Sequence, residues 1–230
     1  MATPHSRASV RGRLSSDAIA AAGLRLARDR DLRGLTVKRI ADVLGVTPMA
    51  LYRYFPSKAE LMAAILDAFI READVTGHNV DLEDWRAWLS ASFGAMREAL
   101  VDAPSVLSLL VEENHFGWAA LEVTDRVLGV LRDAGLDEDQ AAEAFALLLG
   151  HTLGSATLES AFRSNASGLD EEPAERRRQI EARFGGLSRK QLPHVVAAAP
   201  QLARLALRYP FEAGLERILV SLDPATARST

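Results

Sequence analysis

Along almost the whole chain, apolar residues recur three and four positions apart, the spacing that gathers them on one face of an α-helix. No run alternates apolar with polar residues as a half-buried strand does, and no Asn-Gly pair offers a hairpin turn. The pattern confines the chain to an all-α fold. Its 230 residues are 48% hydrophobic and 25% charged, enough for one or two helical domains with a real core. No repeat of solenoid length is present.

Composition narrows the function classes. The sequence contains no Cys, which removes disulfides, thiolate metal ligands and thiol nucleophiles together. The longest stretch without formal charge, Ala144 to Leu158, spans 15 residues and holds His151, so it falls short of a membrane span. The first thirteen residues carry arginines but no apolar signal-peptide core. A cytoplasmic protein with no membrane partner is the expectation. The net charge of −4 is unevenly placed: residues 1–60 hold 11 Lys and Arg against 5 Asp and Glu, or +6, and the remainder holds 16 against 26, or −10. A basic module joined to an acidic body suits a polyanionic partner, although charge alone does not name one.

Residues 1–60 carry the densest punctuation. A first helix is predicted from Ser15 or Ser16 to about Asp31, broken by Leu32-Arg33-Gly34-Leu35. Thr36 is placed to cap a second helix with Val37, Ile40, Ala41 and Leu44 inward. Gly45 follows its last apolar position, where positive φ ends a helix and starts a sharp turn. Thr47-Pro48 opens a third helix, predicted through Phe55 and stopped by Pro56. Ser57-Lys58-Ala59-Glu60 is a capping box for a fourth helix toward Val75. Further helices are predicted near 82–102, 104–112, 117–134 and 137–164, then, after a loop at 165–173, a charged segment 174–184 and helices 188–208 and 211–221. The Glu175-Arg176-Arg177-Arg178 run is read as a solvated face.

Two short helices joined at Gly45 and packed on a longer first helix have the layout of a helix-turn-helix. In that layout the second short helix leads with its N-terminus into the major groove. Thr47 can bond phosphate or base, Met49 and Ala50 offer apolar contact to a thymine methyl, and Arg53 reaches guanine or phosphate. Tyr52, Tyr54 and Lys58 have the reach for phosphate oxygens, which fix register. Arg7, Arg11 and Arg13 precede the first helix as an arm suited to phosphate or the minor groove. Leu51 and Phe55 are core residues, and at least one of Tyr52, Arg53 and Tyr54 must point outward, because one short helix cannot bury all three.

From Gly34 to Leu61, through Leu44-Gly45-Val46-Thr47-Pro48-Met49-Ala50-Leu51-Tyr52-Arg53-Tyr54-Phe55-Pro56-Ser57-Lys58, the chain resembles the DNA-binding domain of the TetR family of transcriptional regulators. The resemblance includes the Leu-Tyr-x-x-Phe-x-x-Lys pattern, with Tyr54 where the family very often has His. It implies a homodimeric, ligand-responsive repressor on a palindromic double-stranded DNA operator. Lys38, Met49, Ala50 and Arg53 would face bases; Thr36, Thr47, Tyr52, Tyr54 and Lys58 would hold phosphates, with Pro48 starting the reading helix. Residues 1–60 would then be the DNA-binding domain and 61–230 a ligand-binding and dimerisation domain.

In the body, Gly150-His151-Thr152-Leu153-Gly154 and Phe211-Glu212-Ala213-Gly214-Leu215-Glu216-Arg217-Ile218-Leu219 resemble the tetracycline-repressor branch, where the corresponding helices form a four-helix dimer interface. Ala144, Ala146, Gly150, Gly154 and Ala156 suit close helix approach between subunits, and equally within one. That branch holds a drug-magnesium chelate through His and Glu. Here the corresponding turn has Leu109-Leu110, so neither tetracycline, a metal nor another cofactor is expected. Candidates for contacting an unidentified small-molecule inducer are Trp85, Trp88, Ser92 and Met96 on one helix, Asn114, His115, Phe116 and Trp118 at the start of another, and His151. Each is also a plausible plain core residue. An enzyme and a DNA-free helical scaffold are the rival classes. No phosphate loop, His-Glu-x-x-His or nucleophile elbow supports the first, and neither class needs a +6 module with outward Tyr, Arg and Lys.

Overall fold

A computed structural model of the chain describes residues 14–28, 35–112, 117–166 and 172–222. Among these residues the chain forms twelve α-helices and no strand. The head comprises α1 (Ser16–Arg28), α2 (Val37–Leu44) and α3 (Pro48–Leu51), which share a core with α4 (Lys58–Ala73). The body is built from α5 (Trp85–Val101), α6 (Pro104–Glu112), α7 (Trp118–Asp133), α8 (Glu138–Ala166) and α12 (Phe211–Ser221). Helix α8 is its spine, with α5, α7 and α12 packed along it. Helices α9 (Pro173–Gly185), α10 (Pro193–Ala197) and α11 (Ala199–Leu205) pack on one another. No helix of the described residues is long and apolar enough to cross a membrane.

The sequence places most helix ends correctly, with two instructive differences. The third helix closes at Leu51 because Tyr54 and Phe55 both direct their amides back to the Leu51 carbonyl, at 2.9 and 3.0 Å, winding the chain into a turn before Pro56. The helix expected over 188–208 is two short ones meeting at Ala198. Pro193 and Pro200 each lack an amide hydrogen and so favour the first turn of a helix over its interior. Each stands in the first turn of its own segment.

Two apolar clusters hold the molecule. The first joins Ile19, Ile40, Leu51 and Ile65 of the head to Leu100 and Val106 of the body. Helix α4 therefore belongs to both parts, and the core does not stop at residue 60. The second cluster centres on Trp88, Phe93, Leu131, Leu148 and Phe211. Met96 packs against both. Of the small residues on α8, Ala144 and Ala156 are buried within the chain, whereas Ala146, Gly150 and Gly154 are exposed.

Charged and polar groups fix the helices at long range. The largely buried Arg97 of α5 pairs with Glu159 of α8, and its guanidinium carbon lies 5.2 Å from the centre of the Phe211 ring. Glu159 also accepts from Arg163 at 2.9 Å. His151 stacks on Phe211 with ring centres 5.1 Å apart, and its Nε2 is 2.9 Å from the Phe211 carbonyl oxygen. A carbonyl only accepts, so that nitrogen carries the hydrogen.

Candidate nucleic-acid interface and ligand cavity

Local signals build the head's exposed surface. Thr36 caps α2, its hydroxyl oxygen accepting from the Arg39 amide at 3.3 Å. Gly45 ends that helix at φ 64°, ψ 29°, a left-handed conformation that costs a side-chain-bearing residue energy. The Gly45 and Val46 amides turn back to Asp42 and Ala41 at 3.1 and 3.0 Å. The chain reverses tightly here, and Thr47 enters α3 in extended geometry without a cap hydrogen bond from its side chain.

On α3 and the turn after it, Leu51 and Phe55 enter the core while Thr47, Pro48, Met49, Tyr52, Arg53 and Tyr54 are exposed. All three members of the Tyr-Arg-Tyr triplet face out, more than the required one. Met49 is 74% exposed, unusual for an apolar side chain of this size. The Tyr54 hydroxyl donates to the Leu14 carbonyl at 2.9 Å, tying the turn to the residues that lead into α1. Ala50 is half-buried, and Thr36, Lys38 and Lys58 are exposed on the same head. Ser57 caps α4 by accepting from the Glu60 amide at 3.1 Å, the serine half of the predicted capping box, while the Glu60 carboxylate accepts from the Ser57 hydroxyl at 3.3 Å instead of from its amide. The arginine arm, residues 1–13, lies outside the described residues.

In the body, a cavity of about 90 Å³ lies between α4, α5, α6, α7 and α8. Phe69 and Ile70 line it from α4, Met96 and Leu100 from α5, Leu110 from α6, and Phe145 and Leu149 from α8. Helix α7 contributes Ala120, Val123 and Thr124. Thr124 is the one polar residue among the described residues of the lining, and its hydroxyl donates to the Ala120 carbonyl at 2.8 Å. Among the described residues that line it, none is ionisable. Among the described residues no group of three or more His, Asp or Glu is arranged to hold a metal. A wider cleft of about 250 Å³, lined by Arg71, Asp74 and Glu122, shares Ile70, Val75 and Val123 with the cavity.

Of the sequence-derived ligand candidates, Met96 lines the cavity. Trp88 does not: it is 2% exposed within the second core cluster. Trp85 packs against that cluster with Arg86 over its ring, and Ser92 is buried 2.8 Å from His78 Nε2. Trp118 faces outward, 67% exposed, its indole donating to Glu122 at 2.8 Å. His151 is held on Phe211. Asn114, His115 and Phe116 lie outside the described residues. The lining that the sequence reading missed is mostly aliphatic, with Phe69 and Phe145, and in sequence an apolar residue beside a cavity has the same spacing as one in solid core.

The profile described as "Bacterial regulatory proteins, tetR family" matches residues 19–65, and "Tetracyclin repressor-like, C-terminal domain" matches residues 80–223. The HTH-type transcriptional repressor DrrR1 of Streptomyces coeruleorubidus is 29% identical over 226 residues, covering 94% of this chain and 79% of its own. The crystal structure of ActR of Streptomyces coelicolor in complex with actinorhodin superposes with a TM-score of 0.77 at 20% identity, over 93% of this chain and 99% of its own. BioQ, solved with its double-stranded DNA operator, gives a TM-score of 0.56 at 26% identity over 68% of this chain and 93% of its own.

Proposed function

Because the chain belongs to the TetR family of bacterial regulatory proteins, we propose that it is a homodimeric, sequence-specific transcriptional repressor, held on a palindromic operator until a small uncharged, apolar molecule enters the body cavity. The observation that carries the DNA-binding half is the surface of α3. This short helix and the turn after it send Leu51 and Phe55 inward and leave Thr47, Met49, Tyr52 and Arg53 exposed together. In this reading Lys38, Met49, Ala50 and Arg53 meet base edges, and Thr36, Thr47, Tyr52, Tyr54 and Lys58 meet phosphates. Tyr54 would reach phosphate with the oxygen that already donates to Leu14, using its acceptor side or exchanging partners. BioQ with its operator supports the same use of the head. A cytoplasmic location follows from work on DNA.

The cavity lining supports the ligand class. A charged ligand would surrender its hydration and find no counter-charge among the described lining residues, a cost of several kcal/mol or more, whereas an apolar one only exchanges water for apolar neighbours. ActR with actinorhodin is a related fold holding an organic ligand. For the dimer, α8 presents Leu147, Gly150, Gly154 and Leu158 at intervals of three and four, all exposed, and a Cβ on either glycine would have no atom within 4 Å beyond its own stretch of helix among the described residues. Val220 of α12 is likewise 61% exposed. Ligand entering the body would shift α4 and so the spacing of two heads that must meet half-sites about 34–36 Å apart.

Selection of bound fragments from genomic DNA by the purified protein, followed by release screening with neutral and charged metabolites, tests the proposal. One or a few palindromic sites, steep loss of affinity with salt and release by neutral apolar compounds are the expected results. Failure to enrich any sequence would sink the DNA-binding reading, and release by anions or metal chelates alone would sink the ligand class.

A further inference from the structure

Helix α7 begins at Gly117 with no side chain of its own to cap it. The leading amides of a helix lack intrahelical partners, and here two are met by a residue more than fifty positions away. Asp67 Oδ2 accepts from the Trp118 amide at 3.2 Å, and Oδ1 accepts from the Ala119 amide at 3.0 Å. Arg71, one turn further along α4, stands 3.8 Å from Oδ2. The approach is close: a Cβ built on Gly117 would run into the Asp67 carboxylate. Gly117 has φ −69° and ψ 172°, which any residue adopts, so glycine is favoured here by the place the carboxylate occupies and not by the backbone.

The two ends of this link lie on different parts of the molecule. Helix α4 starts at the head, where Ser57 caps it, and carries Phe69 and Ile70 to the cavity wall. The first two turns of α7 carry Ala120, Val123 and Thr124 to the same wall. Apolar contacts between two helices are non-directional and let them slide, whereas a carboxylate on two amides holds only within narrow distances and angles. We propose that Asp67 is a strap that couples the cavity to the reading head, passing displacement of the α7 N-terminus to α4. It is a positioning residue that touches neither ligand nor DNA. The proposal rests on the ligand-responsive DNA-binding reading above.

Removing the strap must be separated from removing a cap. Asp67→Ala does both. Asp67→Ala combined with Gly117→Ser removes only the strap, because serine is a preferred N-cap in this backbone geometry and the missing carboxylate leaves room for its Cβ. The probe is a duplex that the full-length wild-type protein selects from a random-sequence library, and the readout is hydrogen exchange at the Trp118 and Ala119 amides with and without it. Coupling is reciprocal, so what the cavity does to DNA binding, DNA binding must do to the cavity wall. In the wild type the duplex is expected to change exchange at both amides by about fivefold or more. In the double variant, with thermal stability restored toward wild type, the duplex is expected to leave the first turn of α7 unchanged. Wild-type amides insensitive to a bound duplex, or a double variant that keeps the full wild-type change, overturn the strap and leave the DNA-binding reading standing. A wild-type chain that selects no duplex overturns that reading, and the strap's role with it.

Discussion

In the head, the groups that shape the surface are neighbours in sequence: Thr36 caps the Arg39 amide, Gly45 reverses the chain it terminates, and Ser57 caps the Glu60 amide. In the body the comparable fastenings join residues far apart: Arg97 with Glu159, Asp67 with the start of α7, His151 with the Phe211 carbonyl. The exposed face is therefore specified mainly by local signals, with the bond from Tyr54 to Leu14 as its long-range fastening, and substitutions on it are expected to change what is read more than how the chain folds. The body is specified by distant pairs, and loss of one partner leaves the other stranded.

The largest effect is expected where stranding is most severe. Glu159→Ala leaves the buried Arg97 guanidinium without its carboxylate, and about 3–5 kcal/mol of stability is expected to go. Denaturant unfolding measures it; a loss below about 1 kcal/mol would erase the contrast between the two regions. In the head, Arg53→Ala is expected to leave stability within about 0.5 kcal/mol and to cost about 1–3 kcal/mol of binding at one base position. Lys58→Ala should instead weaken all sequences alike and lower the salt slope by about one. Titration of a family of duplexes at several salt concentrations separates the two, and an Arg53→Ala variant with unchanged preference would remove it from base reading. The smallest effect belongs to a purely local cap: Thr36→Ala is expected to destabilise by about 1 kcal/mol. A larger loss by thermal unfolding would show that the head also depends on long-range support.

The same difference in range explains what could be read from the residues alone. The α2 and α4 caps, the Gly45 turn and the proline that opens α3 are each decided within four residues, and the sequence reading placed them. The tight turn after Leu51 was read as continued helix because its Tyr54 and Phe55 amides return to one carbonyl, that of Leu51, a detail that helical apolar spacing does not reveal. The cavity escaped for a physical reason. Trp88 and Phe145 both look like inward-facing aromatics, and only the packing of five helices decides that the first fills the core and the second lines a space. Asp67 gave no signal either, since one acidic residue on the linking helix is ordinary until Gly117 is brought against it.

The cavity lies along the seam between the two apolar clusters, and Ile70, Met96, Leu110, Val123, Phe145, Leu149 and Leu153 belong to the half-buried layer around those clusters, outside their fully buried centres. Side chains in such a layer tolerate changes of size better than those packed on all sides. On the function proposed above, descendants of this sequence could therefore alter the shape of the recognised compound by substitutions along the seam, while Ile40, Leu51 and Phe55 continue to hold an unchanged reading surface. Chemical sensing and address on the genome are free to evolve at separate rates within one chain.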